Sequence, residues 1–120
     1  MKSSQNLLTS ISFVVNERPP YKQAPADAAE QKSQAQRKEV CQQEARKAFA
    51  GHNVLTDPCA ASIRHWRGQG RADGANIIGG ILDVLESIVY QDDNQVVEIS
   101  YIEHRTMHSD WYQVTITEVV

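Results

Sequence analysis

Three aspartates bracket the most apolar segment of this 120-residue chain: Asp73 just before Asn76–Val89, and the pair Asp92-Asp93 just after it. Carboxylates brought together from strand and helix ends are how a small protein builds a site for Mg²⁺, which takes oxygen ligands and keeps several waters. The same residues have structural uses. Asp73 is placed to cap a helix through the Ala75 or Asn76 amide, and Asp92-Asp93-Asn94 is ordinary turn chemistry. Spacing alone leaves both readings open. Upstream, Arg64, His65, Trp66, Arg67 and Arg71 form a basic, aromatic cluster. Its arginines suit phosphates and Trp66 suits an unpaired base, although a tryptophan also covers a sheet. Arg18, Tyr21 and Lys22 could flank nucleic acid from a proline loop in the same way. His104 and His108 read as surface residues of a hairpin, and no Ser or Cys has an identifiable His base for nucleophilic catalysis. The Arg67-Gly68-Gln69-Gly70-Arg71 loop lacks the spacing of a nucleotide-binding glycine fingerprint.

The elements that must position these residues follow from periodicity. Ile11–Val15 is β-branched and aromatic-rich and reads as a strand, ended by Pro19-Pro20. Asp27-Ala28-Ala29-Glu30 matches a capping box, so a helix is expected from Asp27 to Ala50, stopped by Gly51. Only its second half, with Cys41, Ala45, Ala48 and Phe49, has an apolar face; Lys32, Arg37, Lys38, Arg46 and Lys47 read as a solvated or phosphate-facing surface. A second strand is expected over Ala60–Trp66. Ile77, Ile78, Ile81, Leu82, Leu85, Ile88 and Val89 recur at three- and four-residue steps and predict a helix over Asn76–Val89. Gly79 and Gly80 lie inside it, each costing about 1 kcal/mol relative to alanine, so close backbone packing or a lost functional side chain is implied. Val97, Ile99 and Tyr101 alternate with polar residues, as do Tyr112, Val114 and Ile116, and the two strands are expected to pair as a hairpin. The order β-α-β-α-β-β predicts an α+β fold, a small mixed sheet with two helices on one face, in one domain spanning residues 1–120.

Composition narrows the class. No apolar run approaches the roughly 18 residues that span a bilayer, and no small-residue cleavage site follows the apolar Leu7–Val15 stretch. A cytoplasmic protein without a signal peptide is expected. Cys41 and Cys59 are too few and too far apart for a disulfide scaffold or zinc ribbon and read as free thiols. The net charge of −3 speaks against a protein that simply coats nucleic acid. It conceals a split: residues 1–72 carry eleven of the 12 Lys and Arg but six of the 15 Asp and Glu. A nuclease needs both surfaces, cations for phosphates and carboxylates for metal.

The run from Arg71 to Val97 resembles the RusA family of Holliday-junction resolvases, small homodimeric DNA endonucleases of bacteria and their prophages. That family's signature is Asp-x-Asp-Asn opening a helix, a lysine one turn in, and Asp-Asp-x-Gln-Val-Val at the far end. Tyr90–Val97, Asn76, Gly80-Ile81-Leu82-Asp83 and the position of Asp73 match, and Thr115-Ile116-Thr117-Glu118 agrees with the closing strand. Two positions depart: Ala75 stands at the second motif aspartate and Gly79 at the motif lysine. The resemblance implies Mg²⁺ held by Asp73 and Asp93, with Asp92 as a further catalytic residue. It implies four-way junction DNA as the partner, for which the cluster and the proline loop offer Arg64, Trp66, Arg67, Arg71, Lys22 and Arg18 as contacts, together with a homodimer and a role in DNA recombination and repair. With Ala75 and Gly79 in place, cleavage is expected to be impaired or lost. The competing expectation is a non-catalytic dimeric interaction module on the same fold.

Overall fold

The computed structural model describes residues 9–22, 24–69 and 72–119. Arg71, Gly70 and the Leu7 end of the first apolar stretch lie outside the described residues. Strand β1 (Ser10–Val15) leads to helix α1 (Ala28–Phe49), strand β2 (Cys59–Arg67) and helix α2 (Gly74–Leu85). A single 3-10 turn (Asp93–Gln95) then opens strand β3 (Val96–Arg105), and strand β4 (Trp111–Glu118) closes the fold. This is the expected α+β order.

The four strands form one mixed sheet in the order β1-β4-β2-β3. β2 and β3 are parallel, and β4 runs antiparallel to both β1 and β2. The expected β3–β4 hairpin is therefore not formed. Thr106 N–H donates to Arg67 O instead, where the chain crosses the end of β2 before β4 enters the centre of the sheet. Two alternating strands separated by a polar loop carry the same pattern whether they pair with each other or straddle a third. Here β4 is the strand that buries Tyr112, Val114 and Ile116, whereas β3 leaves Val97 and Ile99 exposed. Hydrophobicity thus favours β4 for the centre and β3 for the edge.

One sheet face is the core. β1 contributes Ile11, Phe13 and Val15, β2 contributes Cys59, Ala61 and Ile63, and α1 and α2 pack over them. Ser12, Val14, Ser62 and Arg64 on the opposite rows are exposed, so both helices cover the same face. Cys41 and Cys59 are free and buried, and burial pushes the Cys41 thiol up to about 11.

Helix α1 starts on Asp27, whose side chain accepts from Glu30 N–H. The Glu30 carboxylate turns away from the expected box, accepting from the Tyr21 hydroxyl and from the Arg37 guanidinium. These partners hold it below the usual carboxylate range, Tyr21 first and Arg37 second. Arg37 and Gln34 are buried in consequence, so the first half of α1 is not simply polar surface. Gln34 clasps the backbone of Tyr21 in both directions, and Arg37 lies 5.1 Å over the Tyr21 ring.

Helix α2 is shorter than its apolar periodicity, ending at Leu85 rather than Val89. Ser87 takes a left-handed conformation (φ 73°), which stops the helix and reverses the chain. Ile88 and Val89 then donate to Leu85 O, and the Tyr90 hydroxyl donates to Leu82 O at 2.6 Å, satisfying carbonyls a helix end leaves open. Ile77, Ile81, Leu82, Val84 and Leu85 are buried within the chain itself.

Candidate metal centre and nucleic-acid interface

The early end of α2 brings a third carboxylate to the motif pair. Glu86 is the C-cap residue, and its Oε2 accepts from Asp93 N–H at 3.1 Å. Glu86, Asp92 and Asp93 each offer a carboxylate oxygen, and those oxygens all lie within 4.8 Å of one another. Spacing did not reveal Glu86, because a helix continued to Val89 places it mid-helix; recognising the stop at Ser87 would have exposed it.

Gln95 explains how the loop is held. Its Oε1 accepts from both Gln91 and Asp92 N–H, and its Nε2 donates to Leu55 O and Asp57 O. All four hydrogen-bonding sites of the amide are used. Asp92 spends one oxygen as a cap on Asn94 N–H. Asp93 is fixed instead through its amide, which donates to Glu86.

Asp73 is elsewhere. It caps the N-terminus of α2, with Oδ1 accepting from Asn76 N–H at 2.8 Å and Oδ2 facing Asn76 Nδ2 at 3.4 Å. Asn76 thereby orients the carboxylate. Twelve residues of α2 separate this end from Glu86, a span of about 18 Å. The structure brings Asp92 and Asp93 together with Glu86 and sets Asp73 at the far end of the same helix. Ala75 is exposed on the first turn, and Gly79 sits midway under the Lys22 side chain.

The basic and aromatic residues also separate. Arg64 is exposed on the open sheet face. Trp66 lies on that face with both of its ring surfaces engaged, stacked on Trp111 at 3.7 Å and on His104 at 4.9 Å. Its faces are thus occupied by protein, and the outer surface of the three-ring stack belongs to Trp111 and His104. Arg67 points to the helix side, is buried, and donates to Glu103 at 2.8 Å. That pairing holds Glu103 below the usual carboxylate range. Arg18 is half-buried and Lys22 exposed in the proline segment. Arg71 lies outside the described residues.

A buried polar network underlies the Asp73 end. His65 Nε2 lies 2.8 Å from Asp110 Oδ2, and His65 Nδ1 lies 3.0 Å from the Tyr101 hydroxyl. Tyr101 donates to Glu103, and Asp110 Oδ1 accepts from Gly68 N–H, which ties down the start of the loop leading to Asp73. Burial depresses the His65 pKa despite its Asp110 partner, and burial with the Glu103 bond pushes Tyr101 up to about 12. Asp110 carries no sequence signal for this role, since its partner is 45 residues away.

An open cavity of about 560 Å³ lies between the C-terminal ends of the two helices, with Arg46, His52, Asp83 and Glu86 in its lining. Glu86 thus joins the acidic cluster to a concave surface that also carries cationic and imidazole groups. The cluster is an all-oxygen donor set, the ligand chemistry a hard divalent cation prefers, and such a cation completes its shell with water. In donor chemistry these residues suit a divalent cation.

Against known proteins, the family model of the endodeoxyribonuclease RusA matches residues 11–117 of the chain. No curated protein matches it.

Proposed function

The chain belongs to the RusA endodeoxyribonuclease family, and from that premise we propose that it is a Holliday-junction resolvase-like nuclease whose metal centre is built on Asp92, Asp93 and Glu86. RusA nucleases act on branched DNA and are typically dependent on a divalent metal. The observation that carries the reading is the convergence of these three carboxylates in the motif loop held by Gln95. When bound there, Mg²⁺ supplies positive charge beside a phosphate and a more acidic water. The protein's own part is to fix the two motif aspartates, one through its Asn94 cap and one through the Glu86–amide bond, so that little reorganisation is needed when charge develops.

Asp73 enters through a second copy. Within one protomer α2 keeps it about 18 Å from Asp93. β3 is an edge strand bearing the exposed side chains Val97 (58%) and Ile99 (51%), whereas the apolar stripe of α2 is covered. The unsatisfied surface that favours a homodimer is therefore on β3. Antiparallel pairing of two β3 edges about a two-fold axis at Val97 brings the turn that opens β3 in one copy alongside the Tyr101 stretch of β3 in the other. The Tyr101 ring lies against Gly74, next to Asp73: a Cβ on Gly74 would stand 3.1 Å from Tyr101 Cε2. Such a dimer completes each acidic centre with the Asp73 of the other copy, and two equivalent sites suit two equivalent strands of a junction.

Exposed Arg64 and Lys22 and half-buried Arg18 are the phosphate contacts this reading uses. Ala75 and Gly79 weaken the centre relative to the motif, so slow cleavage is expected. Among the described residues no helix is long and apolar enough to cross a membrane. Two free buried thiols fit a cytoplasmic setting, and junction processing fits recombination and repair in a bacterial or prophage context. The test is cleavage of a synthetic four-way junction against a linear duplex, with Mg²⁺ or Mn²⁺. Metal-dependent cleavage of the junction alone upholds the proposal. Binding without cleavage restricts it to recognition, and neither binding nor cleavage leaves the interaction-module reading.

A further inference from the structure

The Pro19–Lys22 segment is seated directly on α2. Lys22 N–H donates to Asn76 O at 2.8 Å. A Cβ on Gly80 would stand 2.6 Å from both Pro20 O and Tyr21 Cα, so glycine is what admits the segment there. Gly79 has a different neighbour. A Cβ on it would lie 3.3 Å from Lys22 Cδ and 3.4 Å from Lys22 Cβ, so the bare backbone of Gly79 is the bed on which the Lys22 stem lies. From that bed the ammonium reaches Asp83 Oδ2 at 3.4 Å and stays 65% exposed. Asp83 and Glu86 line one cavity, and Glu86 shares the acidic cluster with Asp92 and Asp93.

We propose that Lys22 is the phosphate-facing cation of this acidic centre, delivered across Gly79 by the proline segment rather than grown from the helix. The proposal rests on the nuclease reading above. It accounts for the two adjacent glycines together: Gly80 admits the segment, and Gly79 gives its lysine a path along the helix. A lysine ammonium is a compact charge on a flexible stem; packing the stem on Gly79 and anchoring its backbone to Asn76 gives that charge a direction. The exposed pair with Asp83 is weak enough to be exchanged for a phosphate when DNA arrives.

Single-turnover cleavage of a four-way junction, together with the salt dependence of junction binding, tests this in the full chain. Lys22→Ala is expected to fold with unchanged melting behaviour, since the side chain is exposed and the backbone bond is retained. Its cleavage rate is expected to fall about a hundredfold, and its logarithmic salt slope to drop by about one. Lys22→Arg keeps most of the slope, and Lys22→Ala with Gly79→Lys recovers rate by returning the charge through the vacated bed. Gly79→Ala, which crowds the stem without touching the charge, lowers the rate although alanine favours helix. Cleavage and salt slope unchanged in Lys22→Ala overturn the assignment while leaving the nuclease reading intact. A wild-type chain that neither binds nor cleaves the junction overturns both.

Discussion

Asp73 and Asp93 stand at opposite ends of α2, one capping its first turn and the other bonded through its amide to Glu86 at its last. On the proposed reading these ends are two half-sites of one protomer, and a second copy is what would unite them. Subunit mixing reads this out. Asp73→Asn and Asp93→Asn are each expected to be inactive alone. Mixed after dissociation, half the dimers are heterodimers with one intact centre, so roughly a quarter of wild-type activity should return. If each centre lies within a single protomer, no mixture recovers activity.

Metal binding separates Glu86 from a purely structural cap. Glu86→Gln retains an oxygen to accept from Asp93 N–H but removes a charge. Mn²⁺ affinity, measured by titration calorimetry, is expected to weaken by on the order of tenfold or more, with little change in melting temperature. Asp93→Asn should weaken it further. Unchanged Mn²⁺ affinity in both variants would remove the cluster from consideration as the metal centre.

Much of this arrangement was legible in residue order, and most of the exceptions come from contacts between distant segments. Asp27 and Asp73 cap the helices they precede because capping is local: the acceptor is three residues from its donor. The alternation in β1 and β4 and the apolar stripe of α2 likewise predict what is buried. Long-range partners are what local patterns omit. Arg37 and Arg67, expected at the surface, are buried because Glu30 and Glu103 meet them there. β4 enters between β1 and β2 because it is the more apolar strand, a comparison that alternation within each strand does not make. Glu86 was hidden by the continuing periodicity of Ile88 and Val89, which pack on the core after the helix has ended. The glycine pair signalled close packing or a lost side chain, and the structure shows close packing against Pro20, Tyr21 and Lys22.

Acid stability should report the His65 network. Burial lowers the His65 pKa, so the unfolded chain takes up this proton more readily than the folded one. The stability due to neutral His65 is present above the unfolded value near 6.5 and is lost as pH falls through it toward the folded pKa. The melting temperature is expected to decline between pH 7.5 and 5.5. His65→Gln, although less stable at neutral pH, should show a flatter profile in that window. Glu30 and Glu103, whose pKa values are depressed, act at lower pH, below the ordinary carboxylate range. An unchanged slope in His65→Gln would assign the decline to other groups.

Gly80 and Gly79 should respond oppositely to alanine in stability. At Gly80 the added Cβ meets backbone that cannot yield, 2.6 Å from Pro20 O. Gly80→Ala is therefore expected to cost about 1–3 kcal/mol by denaturant titration, as overpacking does, outweighing its helix propensity. At Gly79 the neighbour is a lysine stem, and the propensity gain of up to about 1 kcal/mol is largely retained. Equal effects at the two positions would show that the Pro19–Lys22 segment is not seated as described.

Restoring the motif aspartate is the most direct test of the substituted centre. Ala75 is exposed on a first helical turn that has no acidic residue, so Ala75→Asp meets the positive end of the helix dipole. It is expected to stabilise the fold by about 0.3–1 kcal/mol at low salt. The same substitution puts a second carboxylate beside Asp73, at the end of α2 that the proposed dimer would bring to the Asp93 of the other copy. Junction cleavage with Mg²⁺ should accelerate, and Asp73→Asn in that background should abolish the gain, since asparagine keeps the cap and loses the charge. Gly79→Lys is not the natural companion of this change, because Lys22 occupies its path; it belongs with Lys22→Ala. If Ala75→Asp stabilises the helix, leaves junction binding intact and yet adds no metal-dependent cleavage, the Asp73 end of α2 takes no part in the chemistry.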